Sequence, residues 1–317
     1  MKQIMNELGA KRTPFIFILD YDLNNPIVIP LTKIDANTIK YKVNSQTNHD
    51  TKVVASNVSI THDPIDKDLY KKAFEKIIHE QTIGNNYLLN LTFATEIKTS
   101  NTLAEIFETS KAKYKLLYNN KFVFFSPETF ITINNGEITS HPMKGTIDAA
   151  IPDAKNILLN NKKEDQEHTT IVDLIRNDIS QVAKNVKVTR LKYIDEIKTS
   201  NKTLLQMSSE IKGKLPMDYN NNIGDIIYKL LPAGSITGAP KKKCIEIIDE
   251  VENYDRGYYT GVMGIFDGTN LDSCVMIRFI EKTDNGYYYK SGGGIRIDSN
   301  MDHEYEELND KIYIPIH

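Results

Sequence analysis

Four glutamates share one spacing at two distant points in the chain. Glu164 and Glu167 lie in "KEDQEHTTIVDLIRNDI", Glu304 and Glu307 in "DHEYEEL". On a helix, residues i and i+3 share a face. Each pair therefore presents two carboxylates side by side, and the two pairs together offer four oxygen donors. Mg2+ prefers oxygen ligands, keeps several waters, and often uses one or two carboxylates plus a ligand oxygen. Either pair alone is more simply read as a solvated acidic helix end, favoured by the helix dipole when it lies in the first turn. Glu164 adds a constraint, because it falls at the centre of the Ile175/Val182 face. A carboxylate buried there must be paired, protonated or metal-bound.

Four other stretches carry chemistry. In "SHPMKGTI", Lys144 follows Pro142 by two residues and directly precedes Gly145. That context suits a solvated turn lysine or an amine aimed by its backbone. "SGGGI" places Gly292, Gly293 and Gly294 in a row after an aromatic run. Consecutive glycines weaken a strand interior but let a ligand approach the backbone N–H groups; a flexible loop is the alternative. "LPAGSITGAP" offers small and hydroxyl residues before a helix opening at Pro240. Proline suits a helix start, and the exposed N–H groups there favour an anion. Arg278, in "SCVMIRFIE", shares a strand face with Met276 and Ile280 by period-2 alternation. A guanidinium on an apolar face suits bidentate carboxylate binding.

Helices and strands must position these groups. Apolar residues at helical spacing predict helices near residues 66–82 and 164–183, and further helices are expected over 222–230, Pro240 to Val251 and from Asp302. Apolar runs predict strands in "PFIFILDYD", "NPIVIPL", "NNYLLNLTFATEI", "KFVFFSPETFITINNGEITS", "RGYYTGVMGIFD", "SCVMIRFIEK" and "GYYYKSGGGI". Residues 36–60 are weakly patterned. Hairpins dominate the connections, which favours α+β with antiparallel sheets over a doubly wound parallel fold. No clear linker interrupts the chain, so one domain over 1–317 is expected, with abbreviated N-terminal strands in 1–65 integrated into a core over 66–317.

Composition excludes several classes. The chain has 317 residues, is 40% hydrophobic and carries a formal net charge of −3, from 39 basic and 42 acidic side chains. That balance argues against nucleic-acid or anionic-membrane partners. No apolar run approaches the ~20 residues of a membrane span, and no signal peptide is evident. Two cysteines without a CxxC spacing fit a reducing compartment, so a cytoplasmic location is expected.

Taken in order, "PMKGT", "KEDQEHTTIVDLIRNDI", "PAGSITGAPK", "RGYYTGVMGIFDG", "VMIRF", "GGGIRIDS" and "EYEE" resemble the chorismate-utilising enzymes, over about residues 84–311. The resemblance implies a layered αββα sandwich, two large antiparallel sheets packed between helices. It implies chorismate, a dicarboxylate, as substrate and Mg2+ as cofactor, with Glu167 and Glu307 as inner metal ligands and Glu164 and Glu304 as an outer, largely water-mediated pair. It further implies that Gly292, Gly293 and Gly294 hold a substrate carboxylate through backbone N–H groups and that Arg278 and Tyr259 hold the enolpyruvyl carboxylate. Ser235, Thr237 and Lys241 would line the same pocket, with Thr237 counted as catalytic.

Within that family, lysine at position 144 is similar to the branch forming 4-amino-4-deoxychorismate, aminodeoxychorismate synthase component I. The anthranilate-forming branch usually has alanine there. The implied chemistry is attack of the Lys144 amine at C2 with loss of the C4 hydroxyl, followed by ammonia at C4. Covalent catalysis of this kind divides one hard substitution into two easier ones. Leu88 stands where isochorismate and salicylate synthases carry a lysine base. Departures from the family pattern are Gln206 for a usual histidine and Phe279 for a hydroxyl residue. Gln206 and Leu88, also a departure from the glutamine common in ammonia-using relatives, leave a non-catalytic chorismate-binding subunit as an alternative, and anthranilate synthase component I is the nearest rival enzyme. No Cys-His-Glu glutaminase segment is evident, so the nitrogen is expected from a separate glutamine amidotransferase chain or from free ammonia.

Overall fold

A computed structural model of the protein describes residues 1–50, 58–198 and 203–316. Among the described residues the strands form two nine-stranded sheets in which every pairing is antiparallel. The first sheet runs Met143–Asp148, Thr203–Lys214, Glu137–Ser140, Thr129–Asn134, Leu271–Val275, Val262–Phe266, Phe15–Leu19, Ile27–Pro30, with Lys184–Lys198 along the other side of Thr203–Lys214. The second runs Gly238–Ala239, Leu88–Lys98, Gly286–Ile295, Phe279–Thr283, Phe122–Ser126, Tyr114–Tyr118, Ile39–Val43, Gln46–Thr47, with Thr61–His62 also on Leu88–Lys98.

The apolar alternation explains the layering. In the strand Phe15–Leu19 all five side chains are buried. Phe15, Phe17 and Leu19 pack beneath the helices Lys162–Ser180 and Ile223–Leu230, whereas Ile16 and Ile18 face the second sheet. Phe122 and Phe124 return that contact, while Val123 and Phe125 point to the second sheet's outer side. There the helices Lys67–Thr82, Lys241–Val251 and Met301–Asp310 cover Leu89, Leu91 and Phe93. A strand with period-2 alternation apolar on both faces is buried on both faces, which gives the expected αββα sandwich.

The helices begin where capping chemistry predicts. Asp66 accepts from the N–H groups of Asp68 and Leu69, and Asn161 from those of Lys163 and Glu164; each satisfies orphan donors of a first turn. Two expectations change. Lys144 lies not in a turn but on the strand Met143–Asp148, at a bulge where the pairing register shifts between Lys144 and Thr146. Gly145 there has φ +69, and a Cβ on it would come within 2.8 Å of Leu158 Cδ1 and 3.0 Å of Glu164 Oε2. Arg278 does not share a strand face with Met276 and Ile280. "SCVMIRFIEK" is two strands in different sheets, Leu271–Val275 and Phe279–Thr283, and Arg278 sits in the crossover with φ +54. A non-glycine residue in that region is strained and needs its surroundings to hold it. The helix Lys2–Ala10 and the strand Ile39–Val43 add to the expected elements. Among the described residues no helix is long and apolar enough to cross a membrane.

Candidate active site

A polar cavity of about 120 Å³ opens beside the glycine run, and its wall includes Lys144, Ser235, Tyr259, Arg278 and Gly292. Five of the residues singled out from sequence thus meet at one place, although they come from separate strands, a crossover and two loops. Gly294 closes the group from one side. A Cβ on it would stand 3.5 Å from Glu167 Oε2, 3.7 Å from Lys144 Nζ and 3.1 Å from Leu88 Cδ1.

The glycines are ordered strand, not a flexible loop. Gly292, Gly293 and Gly294 pair with Thr92, Leu91 and Asn90 along one edge. On the other edge the neighbouring strand ends at the Phe279–Lys290 pair, which leaves backbone groups for other partners. The Gly292 carbonyl accepts from Lys311 Nζ at 2.8 Å. A Cβ at Gly292 would lie 2.6 Å from Thr92 Cγ2, so only glycine fits without a shift.

The four glutamates are on two helices bridged by Lys163, whose amine is 2.6 Å from Glu304 Oε1. Lys144 Nζ is 3.6 Å from Glu167 Oε2, and Lys311 Nζ is 2.8 Å from Glu307 Oε1. Among the described residues no three of His, Cys, Asp and Glu stand close enough together to hold a metal ion; each of these three carboxylates is turned to an ammonium. The donor set nevertheless fits Mg2+ in kind, being oxygen only and densely negative. Burial, and then the Glu167 carboxylate, push the Glu164 carboxyl above its ordinary value. Partial desolvation pulls Glu307 the same way although its side chain is half exposed, but the Lys311 ammonium, with Lys163 and Lys144, outweighs it and holds that carboxyl below its ordinary value.

Two members of the sequence-derived set stand elsewhere. Thr237 is fully buried, and its hydroxyl donates to the Ala233 carbonyl at 2.9 Å. Lys241 pairs with Asp178 at 2.6 Å and donates to the Leu230 carbonyl at 2.8 Å. Neither is in the cavity wall, nor is the start of the helix Lys241–Val251.

Sequence reasoning missed Glu128, Lys290 and Lys311, which all line the cavity. Glu128 accepts a hydrogen bond from the Ser235 hydroxyl. Burial raises its carboxyl above the ordinary value, against the Ser235 hydrogen bond and the Lys144 and Lys311 charges. It can therefore hold a proton that a solvated glutamate has released. The available signal was an acid directly after Ser126 and Pro127, interrupting an apolar run. Between the ordinary and the raised value the folded protein keeps this proton while the unfolded chain loses it. Stability therefore falls as pH rises through that window and stays lower above it. The Glu128→Gln variant should gain thermal stability over the native protein at pH 8, and the gain should vanish near pH 4. Melting curves across that range check this.

The two-sheet sandwich thus brings cations and carboxylates together around a glycine edge. The sequence profile described as chorismate binding enzyme matches residues 28–317, and the chain belongs to this family. An "Uncharacterized PabA-like protein" of Haemophilus influenzae is 47% identical over 311 residues, covering 98% of this chain and 95% of that protein. Aminodeoxychorismate synthase component 1 of Salmonella typhimurium is 35% identical over 209 residues, 63% of this chain and 45% of that protein. Anthranilate synthase component 1 of Acetivibrio thermocellus is 38% identical over 199 residues, 59% and 38% of the two chains. The fold matches the menaquinone-specific isochorismate synthase of Escherichia coli with a TM-score of 0.76 at 14% identity, over 98% of this chain and 80% of that one.

Proposed function

We propose that the protein is a transferase of the aminodeoxychorismate synthase component I type, converting chorismate and ammonia to 4-amino-4-deoxychorismate. The observation that carries the reading is Lys144, whose amine lines the cavity beside the glycine edge, with Glu128 in the same wall. In this reading Lys144 reacts as its free amine, having released its ammonium proton to solvent: its nitrogen bonds to C2 of the ring, both ring double bonds shift by one position, and the C4 hydroxyl leaves as water with the Glu128 proton. Ammonia then bonds to C4, the C2–N bond breaks to return the lysine amine, and Glu128 takes the surplus proton. A carboxyl whose hold on its proton is strengthened by burial suits the first step, and its carboxylate suits the second.

The remaining groups bind. Arg278 and Tyr259 hold the enolpyruvyl carboxylate, with Lys290 and Lys311 adding positive charge. The glycine edge receives the ring carboxylate. Glu167 and Glu307, with Glu164 and Glu304, would hold Mg2+, which when bound neutralises that carboxylate. A separate glutamine amidotransferase chain supplies the ammonia, and the product feeds 4-aminobenzoate and folate synthesis in the cytoplasm.

Mass spectrometry of the protein incubated with chorismate and Mg2+, without ammonia, tests the covalent step. An adduct confined to the peptide carrying Lys144 is expected. Unmodified Lys144 after chorismate has been turned over would refute it. Likeness to an anthranilate synthase supports a second reading, in which the product is anthranilate. With ammonium present, anthranilate fluorescence would select that reading, whereas 4-aminobenzoate formed on adding a lyase selects ours.

A further inference from the structure

Arg256 is outside the cavity wall yet bonded to four residues that form it. Its guanidinium donates from Nη2 to the Asn90 carbonyl at 2.8 Å and from Nη1 to the Ile236 carbonyl at 2.9 Å. Its own carbonyl accepts from the Tyr259 N–H at 3.0 Å and from Lys290 Nζ at 3.0 Å. Asn90, Ile236, Tyr259 and Lys290 all line the cavity. They belong to the strand Leu88–Lys98, the turn Gly234–Ile236, the loop before Val262–Phe266 and the strand Gly286–Ile295.

The charge is held in place by Glu252. Arg256 Nε donates to its Oε2 at 2.7 Å and Nη2 to its Oε1 at 2.6 Å, and both side chains are only 2% exposed. The same Glu252 oxygen accepts from the N–H and the hydroxyl of Thr92, at 2.8 and 2.9 Å. Thr92 is the register partner of Gly292, so the pair also reaches the glycine edge. The Tyr21 ring lies 4.7 Å from the guanidinium carbon.

Stability alone does not call for this arrangement. A buried ion pair can often be replaced by well-packed apolar residues of similar volume at no loss. What apolar residues cannot do is satisfy the carbonyls of two separate segments while chelating a third. That takes the five donors of a planar guanidinium. We propose that Arg256 is a positioning residue for substrate binding, fixing the spacing between the strand, turn and loop that enclose the cavity. This rests on reading the cavity as the chorismate site.

The test uses two variants, the double replacement Arg256→Met with Glu252→Leu, and Arg256→Lys, which keeps the charge but has one nitrogen. Replacing the distant pair Lys40 and Glu108, 3.0 Å apart, by Met and Leu is the control. Chorismate affinity is measured by calorimetry with Mg2+, alongside kcat, KM and melting curves. The double variant should fold, with Kd and KM for chorismate raised about tenfold or more, a larger change than in kcat, because the Arg256 bonds reach neither Lys144 nor Glu128. The Arg256→Lys variant should fall between the double variant and native, and the control should match native. A folded double variant or Arg256→Lys variant with native chorismate affinity overturns the role. Absence of chorismate binding in the native protein would instead overturn the reading of the cavity itself.

Discussion

Replacing Lys144 by Ala or by Arg should abolish formation of 4-amino-4-deoxychorismate, a loss of about a thousandfold or more, the scale on which removal of a covalent nucleophile is felt. The two variants separate two roles of the amine. The Lys144→Arg variant would still place a cation near Glu167, which is 8% exposed and 3.6 Å from the native ammonium, but a guanidinium is always protonated and cannot attack carbon. The Lys144→Ala variant also leaves that carboxylate without its cation and should lower thermal stability as well. Chorismate affinity should persist in both, because Arg278 and the glycine edge are untouched. The measurement is product formation with ammonium salt, coupled to a lyase and followed as 4-aminobenzoate. Native turnover in either variant rules out the covalent step.

Glu307→Gln should reduce Mg2+-dependent turnover by about a hundredfold or more, on the scale of losing a ligand that stabilises charge in the transition state. Its side chain is 49% exposed, against 2% for Glu304 and 8% for Glu167. The substitution therefore costs little packing, and the circular dichroism spectrum should stay native. Titrating Mg2+ calorimetrically into native and variant protein supplies a readout apart from activity, and the variant should bind more weakly. Equal Mg2+ affinity and equal turnover would remove Glu307 from the metal set. Glu167→Gln is the harsher companion, since it also removes the counter-charge of Lys144.

Much of this site is legible in the sequence because helices announce their faces. The spacing of Glu164 and Glu167 survives into the structure intact, and Glu167 is buried beside Lys144. The two-faced apolar strands also dictate the layering. Positions defined by a break in a pattern are harder. The alternation of its neighbours puts Arg278 on a strand face, yet the chain changes sheets there, and alternation cannot register a change of partner. Proline and glycine around Lys144 suggest a turn; one glycine in the left-handed region makes a bulge instead. Glu128 escapes sequence reasoning because its environment comes from Ser235, Lys144 and Lys311, none of them near it in sequence. Ile39–Val43 does carry a signal, the alternation I-K-Y-K-V, whose burial follows the same rhythm.

The strand Phe15–Leu19 has a consequence for how the molecule is made. Its register partner on one side is Val262–Phe266, roughly 250 residues later. At ribosomal speeds of about 5–20 residues per second, that partner emerges about 10–50 seconds after the strand itself. Over that interval "FIFIL", apolar on both faces, waits with an unpaired edge, and pairing so distant in sequence is slow to form. Nascent chains that stall before residue 262 should therefore be insoluble or chaperone-bound, and release is expected only once the strands through Gly286–Ile295, which complete both sheets, have emerged.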